Sequence, residues 1–148
     1  MKWFFNLLFI SITFLTISCS DNGTVATPTI SDALLTGTVF GEDFSALGGK
    51  AFDVGEYVSI NITNEDVSCD SNILNYDIYI SSVFILQQGT YQGINIVFHK
   101  NGELPLHYLQ GTTLQVVEFD DTSITVKIKV ETNAENSIEG TYTVDYCK

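Results

Sequence analysis

Apolar and polar residues alternate with a period of two over most of the chain. Val58, Ile60 and Ile62 are interleaved with Tyr57, Ser59, Asn61 and Thr63. Ile124, Val126, Ile128 and Val130 alternate with Thr125, Lys127, Lys129 and Glu131, the clearest half-buried strand in the sequence. Further along, Ile138, Gly140, Tyr142, Val144 and Tyr146 are set against Glu139, Thr141, Thr143 and Asp145. Less regular segments at 39–44, 74–85, 90–99, 104–109 and 114–119 share the same wealth of Ile, Val, Thr and Tyr, residues suited to a pleated surface. No window has a helical period.

Turn chemistry punctuates these segments. Asn101-Gly102, between Phe98 and Leu104, is a strong hairpin signal because both residues accept positive φ. Gly48-Gly49 is predicted as a second tight turn. Asp120-Asp121 and residues 133–136 separate the last three strands at the spacing of a meander. Roughly eight short strands with such spacing predict an all-β domain, an antiparallel β-sandwich, with a small up-and-down β-barrel as the alternative.

The N-terminus has a different character. Lys2 precedes an apolar run from Trp3 to Ile17, broken only by Asn6, Ser11, Thr13 and Thr16, and the polar Ser20-Asp21-Asn22-Gly23 follows. The run is shorter than the roughly 20 apolar residues of a membrane span, and its single leading charge is that of a cleaved export signal. Residues 20–29 are small and polar with Gly23 and Pro28, the composition of a flexible tether.

Leu15-Thr16-Ile17-Ser18-Cys19 resembles the lipobox of bacterial prolipoproteins, with the small Ser18 directly before the cysteine. Thr16 stands where an aliphatic residue is preferred, a departure found in the looser motifs of Bacteroidota-type lipoproteins. The whole chain resembles small lipoproteins of that type whose function is unknown. The resemblance implies a signal peptide over 1–18, a lipid on Cys19, a tether over 19–35 and a β domain over 36–148. It also implies membrane attachment in the cell envelope, at the outer rather than the inner membrane, facing the periplasm or the surface. With Cys19 acylated, Cys69 and Cys147 remain as an even pair in a compartment that permits disulfides. Joining them would close a loop of roughly 80 residues and stabilise the fold by ~4.5 kcal/mol.

Charge narrows the partners. The sequence has six lysines, no arginine and 18 acidic residues, for a net of −12. Loss of Lys2 with the signal leaves five lysines against those 18, a net of −13. Without arginine there is no bidentate phosphate fork and no basic groove, so nucleic acid is excluded as a partner. An anionic membrane surface would repel the domain, and attachment must come from the lipid.

Candidate chemistry is sparse. His99 and His107 flank the Asn101-Gly102 turn and, with Glu103, could approach a metal ion, but no third ligand stands at a familiar spacing. The loop at 64–72 is dense in oxygen ligands, and Glu65, Asp66 and Asp70 are its candidates for calcium; it lacks the EF-hand spacing. Glu42-Asp43, Glu65-Asp66 and Asp120-Asp121 are adjacent in sequence, which on a strand points them to opposite faces, unsuited to a shared substrate. No nucleophile motif is present. The chain is expected not to be an enzyme and to need no cofactor. Tyr57, Tyr79 and Tyr91 are predicted on the face opposite the aliphatic rows, as candidates for binding a glycan, a protein or a small ligand. The lipocalin G-x-W is absent. Two readings follow: a module that contacts an envelope protein or glycan, and a carrier of a small apolar ligand inside a barrel.

Overall fold

The computed structural model describes residues 29–148, so the signal segment, Cys19 and most of the tether lie outside the described residues. The fold is all-β, a mixed sheet curled into a half-barrel. Its strands in chain order are β1 (Thr36–Val39), β2 (Glu42–Ser45), β3 (Gly48–Val54), β4 (Tyr57–Thr63), β5 (Ile78–Phe84), β6 (Gly89–Gln92), β7 (Ile96–Lys100), β8 (Leu106–Tyr108), β9 (Thr112–Phe119), β10 (Ser123–Asn133) and β11 (Asn136–Cys147). The one helical element among them is a single 3-10 turn, Ile73–Asn75. No helix of the described residues is long and apolar enough to cross a membrane.

Period-two patterning places the aliphatic rows on the concave side. Ile124, Val126, Ile128 and Val130 of β10, Val58, Ile60 and Ile62 of β4, and Ile78, Ile80 and Phe84 of β5 are all buried there, in one cluster with Leu35, Phe98 and Leu114. The sheet runs β6-β9-β10-β11-β3-β4-β5-β7-β8. Two short connections carry the chain between its ends: residues 93–95 link β6 to β7, and residues 109–111 link β8 to β9. Buried Thr112 ties both, its hydroxyl donating to the carbonyls of Ile94 at 2.8 Å and Leu109 at 3.1 Å. That curl wraps a single layer around its own core.

Three features depart from the sequence-based expectation. First, the sheet has eleven strands rather than about eight, and it is not wholly antiparallel. Strand β11 lies parallel to β3, with Asp145, Tyr146 and Cys147 opposite Lys50, Ala51 and Phe52. Gly48-Gly49 is the start of β3 and not a turn. Second, the segment at 39–44 folds into the β1–β2 hairpin, turning at Phe40 and Gly41 with φ of +53° and +77°. Phe40 accepts a left-handed conformation that costs a non-glycine residue about 1 kcal/mol or more. Its N–H is held by the Asn136 side chain at 2.8 Å. Third, residues 30–35 belong to the domain and not to the tether: Ile30 and Leu35 are buried, and Leu35 N–H donates to the Thr141 carbonyl at 3.0 Å.

Glycine explains how that N-terminal segment reaches β11. At Gly140, φ is +145°, and an added Cβ would fall 2.6 Å from both the Leu34 carbonyl oxygen and the Leu35 Cα. Only a residue without a side chain lets the two backbones approach so closely. Strand β11 therefore has three partners: β10 along its length, β1 beside residues 137–139 and β3 beside residues 145–147.

Candidate functional site

The convex face of the sheet divides into two unlike halves. Over β9, β10 and β11 it carries threonines, Gln115, and Lys127 and Lys129, which pair with Asp32, Glu131 and Glu139. Over β3, β4, β5, β7 and β8 the outward positions are Gly48, Lys50, Phe52 and Val54, then Tyr57, Ser59, Asn61 and Thr63, then Tyr79, Ser81 and Val83, then Val97 and His99, and finally His107. None of these fourteen is acidic, in a chain with 18 acidic residues.

One end of this second half is covered. The loop at 64–77 folds across it, held to the strands by a disulfide and by Lys50. Cys69 and Cys147 are joined by a disulfide with their Cα atoms 5.5 Å apart. It lies on the convex side, away from the core, as the alternation of β11 requires. The Lys50 ammonium donates to the carbonyls of Cys69 at 2.9 Å and Ser71 at 2.5 Å. Within the loop, Glu65 accepts from the Asp77 N–H at 2.8 Å, and Tyr76 is buried. Among the described residues no three His, Cys, Asp or Glu side chains converge as metal ligands. Glu65, Asp66 and Asp70 thus do not form a shared site, and Lys50 places a positive charge against the loop carbonyls that a cation would otherwise seek.

Beside the loop runs an aromatic stack. Tyr76 meets Tyr79 edge-on at 5.9 Å, and Tyr79 stacks flat on His99 at 4.1 Å. The Ser81 hydroxyl lies 2.9 Å from His99 Nε2, whereas His107 faces Asn95 at 3.3 Å. Burial, reinforced by the nearby His107, holds the His99 imidazole below its ordinary pKa. Burial likewise raises Tyr79. Among the described residues neither imidazole bonds a carboxylate. A serine beside an imidazole is a fragment of a nucleophilic site, lacking the third group that orients the base.

The other end is open. Val54, Tyr57, Val83 and Ile85 are 48%, 49%, 52% and 54% exposed. Val54 pairs with Tyr57 and Ser59 with Val83, and the same register sets Ile85 beside Tyr57. Phe52, next to the disulfide, completes an apolar patch about three strands wide. Of the three tyrosines predicted to share a face, Tyr57 and Tyr79 are on it. Tyr91 is a correction: it faces inward opposite Leu114, packs on Phe84, and donates its hydroxyl to the carbonyls of Ile85 and Gln87. Sequence reasoning misses Phe52 and Val54 because Gly48-Gly49 reads as a turn, which hides β3. It misses Val83 and Ile85 because 74–85 reads as apolar on both sides.

Comparisons with protein-family models, with curated proteins and with solved structures returned no match.

Proposed function

We propose that the protein is a lipid-anchored envelope lipoprotein whose β domain is a non-catalytic interaction module, engaging its partner through the convex face of β3, β4 and β5. The observation that carries this reading is the contiguous, half-exposed patch of Phe52, Val54, Tyr57, Val83 and Ile85. Apolar side chains gathered on one outer face of a soluble domain mark a contact surface more often than singly scattered ones do. Core formation does not explain them, since the inward rows already close on one another. The single buried cluster formed by the inward side chains of the described residues favours the module over a small-ligand carrier.

Two experiments test the proposal. For the anchor, Cys19→Ala should release the protein from the membrane fraction, and a variant that still sediments with membranes after export refutes the lipid. For the module, a photo-reactive residue at Val83 should give one discrete adduct in intact cells. The same residue at Thr143, on the polar half of the convex face, should give none. Equal labelling from both positions, or none from Val83, overturns the assignment of the face.

A further inference from the structure

We infer that the patch docks a protein segment with an apolar centre and a basic margin. The inference rests on the interaction-module reading and adds the chemistry of the partner. The patch is bordered by acid. Glu56 stands at the turn between Val54 and Tyr57, and Asp145 lies on β11 opposite Lys50, the neighbour of Phe52 along the outward row of β3. Asp70 follows the disulfide-bonded Cys69 beside the same strands.

One lysine stands among these groups: Lys50, opposite Asp145, donates its ammonium to neutral loop carbonyls and so keeps its charge there. The other four described lysines are paired elsewhere, Lys100 with Glu42, Lys127 with Asp32, Lys129 with Glu131 and Glu139, and Lys148 with Asp121. With Glu56, Asp70 and Asp145 against Lys50 alone, the border keeps a net negative charge around an apolar centre. Interfaces commonly take this form, a dry middle inside a charged rim that selects the partner by sign.

A second copy of the chain fits poorly, because a two-fold contact through this patch would set one acidic border against the other. An uncharged glycan would gain nothing from the border. A segment with alternating aliphatic and lysine or arginine residues satisfies both parts, its apolar side covering Tyr57 and Val83 while its basic ends meet Glu56 and Asp145.

The test uses the full exported chain and two synthetic peptides of equal length, one alternating valine with lysine and the other valine with glutamate. Backbone amide signals are followed by NMR. The lysine peptide should perturb residues 52–57 and 81–85, and its affinity should fall as salt is raised. Tyr57→Ser with Val83→Ser should weaken it by about tenfold, with the melting transition retained as proof of folding. Perturbation centred on Asp120 to Ser123, or binding indifferent to the double substitution, shows attraction to acid in general and overturns the inference. Equal binding of both peptides removes the basic margin but leaves the contact face standing. Concentration-dependent shifts of the same amides without peptide assign the patch to a second copy instead. If neither peptide binds and Val83 gives no adduct in cells, both readings fall together.

Discussion

Breaking the Cys69–Cys147 bridge tests how the domain is held together. The two cysteines are 78 residues apart in sequence. In the chain-entropy treatment, a closed loop of that size removes about 15 cal/mol/K from the unfolded ensemble, or roughly 4.5 kcal/mol at 25 °C. Some of that gain overlaps other restraints. Lys50 still grips the Cys69 and Ser71 carbonyls after reduction, and β11 still pairs with β10 along its length. The folded state therefore keeps its shape, and the loss falls on the unfolded side. Cys147→Ser should cost about 3–4.5 kcal/mol. With a urea slope of about 2 kcal/mol/M, the midpoint should drop by roughly 2 M. Cys69→Ser should cost the same, and the double substitution no more than either single one, because each removes the same covalent bond. Urea melts followed by far-UV circular dichroism give the four midpoints. A change under about 1 kcal/mol in either single variant, or additive costs in the double one, would refute the loop-closure account. Two free thiols in protein purified without reductant would remove its premise.

Other outcomes follow from single residues. Gly140→Ala should cost roughly 2–4 kcal/mol in the same melts, since its Cβ meets the Leu34 and Leu35 backbone at a φ of +145°; a neutral result would mean that residues 30–35 do not pack on β11. The Tyr146 hydroxyl donates to Asp53, and chiefly through that bond its pKa is pushed up to about 12. That contribution to stability is complete below the ordinary tyrosine pKa near 10 and is lost as pH rises through the folded value. NMR titration should find Tyr146 the last tyrosine to ionise, and Asp53→Ala should bring it down. His99 is the opposite case: burial lowers its folded pKa, so the unfolded chain binds more protons and stability falls as pH drops below about 6.5. His99→Gln should flatten that part of the pH profile, and an unchanged profile would place the loss elsewhere.

The sequence made the long, regular strands plain and the connections between them obscure. Ile124 to Val130 alternates without interruption because one side of β10 faces the core and the other faces water, so the pattern alone fixes the strand. The segment at 90–99 defeats the same reasoning. Its two halves are both extended, but Gly93, at φ +66°, sends them to opposite ends of the sheet. Nothing local encodes that choice, which is made by what Tyr91 and Phe98 meet across the core. The disulfide was legible by counting, because a covalent pairing needs only the residue type and an even number. The contact face was not. Its apolar members come from β3, β4 and β5, separated by turns, and they become neighbours only through the pairing of Val54 with Tyr57 and Ser59 with Val83.

The position of β11 bears on how the protein reaches its folded state. This strand follows every other strand in sequence, yet it lies between β10 and β3 and also supports β1. Its partners in β1 are about 100 residues away, so much of the sheet has high contact order, which slows folding. A chain emerging N-terminus first has no template for joining β3 to the β9–β10 ribbon until its final strand is available. The early segments must then wait as unpaired edges, open to aggregation or to chaperones. Closure of the described sheet therefore waits on β11, the last of its strands in chain order and the one that joins the two halves.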